Sequence, residues 1–141
     1  MAPNRLSNAE VPAASVQPKI VVAEDEEMLG ALIESKLSRS GYRVILTKDG
    51  KAAWAAILAE QPDLIVLDWM MPGIDGLQLL ALVRDNPKTK DTPVMMLTAV
   101  NQKSEVLTAV DVGASDYMVK PFRPHQLLAR IRKLLDSAAK R

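Results

Sequence analysis

Short aliphatic runs alternate with segments of helical periodicity from Lys19 to the last residues of the chain, and this alternation leaves few folds open. The apolar runs are Lys19–Glu24 (KIVVAE), Tyr42–Thr47 (YRVILT), Asp63–Asp68 (DLIVLD), Pro93–Thr98 (PVMMLT) and Asp116–Val119 (DYMV). The first helical pattern sets Met28, Leu29, Leu32, Ile33 and Leu37 on one face. Asp25 is its expected N-cap, and Glu26 and Glu27 suit the positive end of the helix dipole. Gly41 stops it. The second, capped by Asp49, has Ala53, Trp54, Ile57 and Leu58 as its buried stripe. A third starts near Asp75, buries Leu77, Leu80 and Val83, and is ended by Asn86-Pro87. A weaker helix covers about Ser104–Val112, with Gly113 at its C-terminus. The last opens at Arg123-Pro124 and carries Leu127, Leu128, Ile131, Leu134, Leu135 and Ala138. Strands that are apolar almost throughout belong in a parallel sheet covered on both faces. Right-handed crossovers then predict a doubly wound α/β sandwich with strand order 2-1-3-4-5.

The 141 residues make one ordinary domain, and 48% apolar residues suffice for its core. Residues 1–18 are rich in Ala, Pro, Ser and Asn without periodicity, and are expected to form a flexible leader. The domain proper is expected over 19–136, followed by a short basic tail, 137–141. A net charge of +1 gives no global drive toward nucleic acid or membrane, and with no cysteine there is neither a disulfide nor a thiolate metal site. No apolar run approaches the roughly 20 residues that span a bilayer. A soluble, cytoplasmic protein is the expectation.

In an open parallel sheet, ligands bind beyond the carboxyl ends of the strands, where the strand order switches. Those ends supply Glu24 and Asp25 from the first strand, Asp68 from the third, Thr98 from the fourth and Lys120 from the fifth. Three carboxylates so close together repel one another unless a cation joins them. An all-oxygen set without His or Cys suits a hard divalent ion such as Mg²⁺ rather than zinc. A lysine and a hydroxyl facing that metal are what a phosphoryl group needs, and an aspartate can act as its nucleophile. Asp68 is the candidate. Pro72 and Gly73 force a turn just beyond it that exposes backbone carbonyls near the metal.

The motifs VVAEDE, LIVLDWMMPGIDG, VMMLTA and GASDYMVKPF follow one another in the order and spacing of a known family. Over about Lys19–Asp136 the chain resembles the receiver domain of bacterial two-component response regulators, whose fold is a (βα)5 flavodoxin-like sandwich. The resemblance implies a switch, not an enzyme acting on other substrates. Glu24 and Asp25 would be the acidic metal pair, Asp68 the phosphoacceptor, and the backbone carbonyl of Met70 a further Mg²⁺ ligand. Thr98 would turn to bond the phosphoryl group, Lys120 would pair with it, and the Tyr117 ring would follow the threonine. Lys120-Pro121 matches a peptide that is usually cis in the family. The phosphoryl donor would be a histidine kinase or phosphotransferase, and the receiver of the signal a downstream protein or output domain. Many receivers have Asp where Glu24 stands. Met70 and Val100, apolar at positions flanking the site, offer nothing to orient a hydrolytic water, so a long-lived phosphoryl group is expected.

The segment LLARIRKLL is similar to the winged-helix transcription-factor subfamily (OmpR/PhoB), whose active receivers dimerise through helix four, strand five and helix five. By that resemblance Asp111, Asp116 and Arg130 would belong to a homodimer surface formed on phosphorylation. Val106 replaces a usual base there and Ser115 a usual acid, which weakens a charge-defined interface and leaves Val106 as an apolar contact on an exposed face. Direct nucleic-acid or membrane binding by this chain is not expected. Two other chemistries use such an edge. A Mg²⁺-dependent phosphohydrolase with an aspartate nucleophile needs a carboxylate at position 70, where Met stands. A flavodoxin-like electron carrier needs a hydroxyl- and glycine-rich phosphate loop, where this chain has AEDEE.

Overall fold

A computed structural model describes residues 17–99 and 103–140; the rest of the expected leader, Val100 and the final Arg141 lie outside the described residues. Strands β1 (Lys19–Ala23), β2 (Arg43–Thr47), β3 (Leu64–Asp68), β4 (Val94–Thr98) and β5 (Asp116–Val119) alternate with helices α1 (Glu27–Arg39), α2 (Gly50–Glu60), α3 (Gly76–Asp85), α4 (Lys103–Val112) and α5 (Pro124–Ala139). All pairings are parallel and the order is β2-β1-β3-β4-β5, as the apolar strand pattern predicted.

Successive residues of a strand point to opposite faces, and two cores result. Ile20, Val22, Leu64, Val66, Met95 and Leu97 face α1 and α5, where Ile33, Leu37, Leu127, Leu128 and Ile131 are buried. Val21, Ala23, Ile65, Leu67 and Met96 face the other way, onto Ala53, Ile57, Leu79, Leu80, Val83 and Ala109 of α2, α3 and α4. Each such aliphatic side chain contributes roughly 1.5–3 kcal/mol by leaving water. The expected stripes need correction at their edges. Met28 and Leu32 of α1 are 76% and 53% exposed, because the narrow contact with the sheet and α5 takes up only Leu29, Ile33 and Leu37. Leu58 is also exposed; Leu77 packs partly buried against the core as expected, and Leu79, outside the expected stripe, is fully buried.

Helix ends follow local chemistry. Asp49 accepts the Ala52 N–H at 2.7 Å, and Asp75 forms a capping box with Gln78. Asp25 does not cap α1: the helix begins at Glu27, Glu26 is the cap residue without a side-chain bond, and Asp25 stays exposed at the sheet edge. The Lys120-Pro121 peptide is cis. Helix α5 runs on to Ala139, three residues into the segment expected as a tail.

Candidate functional site

The carboxyl edge is built by strands that end level with one another. Register pairs Ala23 with Leu67, Asp68 with Leu97 and Thr98 with Val119, so the residues that follow each strand converge. Asp68 and Thr98 are each 3% exposed and Glu24 1%, whereas Asp25 faces solvent. Carboxylate oxygens of Glu24, Asp25 and Asp68 all lie within 4.8 Å of one another. The Lys120 ammonium stands 3.0 Å from Glu24 Oε1 and 3.1 Å from Asp68 Oδ2, and the Lys120 N–H donates to the Thr98 carbonyl at 2.6 Å. Glu24, Asp25, Asp68 and Lys120 are thus one cluster, and Thr98 is joined to it through the backbone bond from Lys120.

Its electrostatics follow from burial. Desolvation, reinforced by the neighbouring Glu24 carboxylate, pushes the Asp68 carboxyl up to about 7 against the pull of Lys120. For Lys120, burial works to lower the ammonium's pKa, but the Glu24 and Asp68 carboxylates outweigh it and raise it above its ordinary value. Glu24 Oε2 accepts the Glu26 N–H at 3.1 Å, and Asp68 Oδ1 accepts the Met70 N–H at 3.3 Å. Glu24 Oε1 is buried without a hydrogen bond despite the nearby ammonium. An all-oxygen triad with one under-satisfied buried oxygen fits a hard divalent cation, and among the described residues no other such group of acidic or imidazole ligands exists.

Two further features shape the site. Gly76, the first residue of α3, donates its N–H to the Trp69 carbonyl, and a Cβ there would lie 2.3 Å from the Asp68 carbonyl. Only glycine lets α3 begin this close to the acidic strand end; the Asp-Gly pair in the sequence was the available signal. Met70 is 65% exposed at the rim, and Trp69 is half-buried beside the cluster.

Of the residues expected on the output face, Asp116 and Arg130 meet in an ion pair at 3.1 Å, and Arg130 also donates to the Tyr117 carbonyl. Asp111 is exposed on α4. Val106 is half-buried rather than exposed, because it lies on the flank of α4 next to the buried Ala109. The apolar exposure falls instead on Leu107 and Val110, each 52% exposed, which helical periodicity alone did not separate from core positions. Tyr117 is half-buried against the core beneath α4, and His125 is exposed.

Residues 20–132 match the family described as the response regulator receiver domain. The phosphate regulon transcriptional regulatory protein PhoB of Rhizobium meliloti (strain 1021) is 40% identical over 121 residues, covering 86% of this chain and 53% of that protein. The alkaline phosphatase synthesis transcriptional regulatory protein PhoP of Bacillus subtilis (strain 168) is 40% identical over 117 residues, covering 83% and 48%. The chain therefore spans about half the length of the curated relatives it matches. Among solved structures, the receiver domain of a Francisella response regulator superposes with a TM-score of 0.81 at 33% identity, over 86% of this chain and 99% of that one. The BeF3-activated N-terminal receiver domain of Klebsiella pneumoniae RstA gives 0.77 at 36% identity, over 83% and 97%.

Proposed function

The chain belongs to the response regulator receiver domain family, and from that premise we propose that it is a phosphorylation switch whose acceptor is Asp68. The observation that carries this is the Asp68 carboxylate itself: buried at a strand end, 3.1 Å from Lys120 and in one cluster with Glu24 and Asp25. A histidine kinase or phosphotransferase is the donor. An Asp68 oxygen attacks phosphorus, the P–N bond to the donor imidazole breaks, and an acyl phosphate forms. Lys120 takes up charge on the transferred oxygens, and the Thr98 hydroxyl bonds to the same group. Glu24, Asp25, Asp68 and the Met70 carbonyl are the residues that would hold Mg²⁺, which when bound neutralises the phosphoryl oxygens and keeps Asp68 ionised.

Only contacts that differ between the two states can shift the population of a distant face. Those contacts are the Thr98 and Lys120 bonds, followed by Tyr117. The face they reach comprises α4, β5 and α5, with Val106, Asp111, Asp116 and Arg130 and the exposed pair Leu107 and Val110. Its partner is a second copy of the chain, a downstream protein or an output domain. The match covers only about half of each relative named as a transcriptional regulator; we assign regulation of that kind to the partner or linked domain, not to nucleic-acid contacts by these residues. The phosphotransfer profile against candidate kinases tests the core claim. Native protein should take up label and Asp68→Asn should not; label retained on the variant would remove the assignment. Apolar Met70 at the rim favours a long-lived phosphoryl group, and decay within seconds in the presence of Mg²⁺ would refute that.

A further inference from the structure

Arg84, in the last turn of α3, takes no part in the chemistry above, yet its half-buried guanidinium reaches two other segments. Nε donates to the Gly113 carbonyl at 2.9 Å. Nη1 donates to the Thr92 carbonyl at 2.7 Å and the Lys90 carbonyl at 3.0 Å. Nη2 lies 3.4 Å from the Ser115 hydroxyl, which in turn accepts the Val94 N–H at 3.0 Å. Gly113 has φ +121°, and a Cβ there would sit 2.9 Å from Arg84 Nε, so the turn closes directly onto the guanidinium. A rigid planar fork with five donors is suited to tie several acceptors at once, and bonds from a charged donor exceed neutral ones.

The end of α3, the lead-in to β4 and the turn from α4 to β5 therefore form one block. Helix α4 leaves that block at its C-terminus. Its other end starts five residues after Thr98, at the carboxyl edge, and the ten residues between span roughly 15 Å. We propose that Arg84 is a positioning residue of the output face, anchoring Gly113–Ser115 as the fixed end of a lever whose other end lies at the carboxyl edge. Events at Asp68 and Thr98 then swing α4 about Gly113 rather than translating it. This rests on the reading that Asp68 phosphorylation changes the output face.

Amide hydrogen exchange of the full chain, with and without Mg²⁺ plus beryllium fluoride as the phosphoryl mimic, tests it. In native protein, exchange over Lys103–Val110 should change while Gly113–Ser115 stays within about twofold. In Arg84→Met, basal exchange at Gly113–Ser115 should rise about tenfold, and the response to the mimic should spread into that turn. Arg84→Lys, which keeps the charge and fewer bonds, should lie between the two, and it carries the test if the methionine variant fails to fold. The proposal is overturned if Gly113–Ser115 responds in native protein as strongly as the start of α4, or if the folded variants leave the pattern unaltered. No response anywhere in α4 would instead overturn the switch reading, and this proposal with it.

Discussion

Asp68 shows how a single position combines an unfavourable charge with a use for it. Its carboxyl is pushed up to about 7, so its folded-state pKa lies above the ordinary value of 3.8. A raised carboxyl contributes stability that is fully present below the ordinary value and is lost as pH rises through about 7. In chelator, native protein should therefore lose stability between about pH 4 and 7, and Asp68→Asn should be more stable than native at pH 8 by about 1–3 kcal/mol. At pH 4 the two should nearly coincide. Urea unfolding at the three pH values measures this, and an equal difference at pH 4 and 8 would mean that the charge is not the cause. Added Mg²⁺ should narrow the gap at pH 8, because a bound cation stabilises the ionised native form alone. The half-buried Trp69 offers a fluorescence reading of the same titration.

The strand ends and helix starts set the spacing of the site. Gly76 allows α3 to begin against the Asp68 carbonyl, and a Cβ at 2.3 Å from that oxygen has no room. Gly76→Ala should cost about 1–3 kcal/mol in urea unfolding, as overpacking does elsewhere, and should slow phosphorylation by displacing the Asp68 end of β3. Wild-type stability in this variant would show that the helix start yields without strain. Helix α1 illustrates what periodicity cannot resolve. Five apolar residues share its stripe, but only Leu29, Ile33 and Leu37 touch the core, and Met28 and Leu32 remain in water. Asp25 similarly has the chemistry of a cap, but the chain passes one residue further before turning into the helix. The cap at Asp49 was legible because its bond is local, reaching only three residues ahead.

For the molecule as a whole, the proposed switch requires charge at one edge to alter contacts on the face of α4, β5 and α5. Leu107 and Val110 of α4 are each about half exposed, and the Asp116–Arg130 ion pair joins β5 to α5. Sedimentation should show dimers when Mg²⁺ and beryllium fluoride are added, and Leu107→Asp should keep the chain monomeric while leaving Asp68 phosphorylation intact. A native protein that stays monomeric with the mimic would exclude this surface as a self-interface. The strand order, the two-sided core and the gathering of Glu24, Asp25, Asp68, Thr98 and Lys120 at one edge were determined by the sequence itself. Runs that are apolar almost throughout and right-handed crossovers admit almost no other arrangement, and strand ends then place those residues automatically. Tertiary structure alone decided which apolar side chains of α1 and α4 stay exposed, how closely Gly76 approaches Asp68, and that Arg84 ties α3 to the turn before β5. Each of these depends on contacts between segments far apart in the chain, where the distance between surfaces, not local periodicity or capping chemistry, sets the outcome.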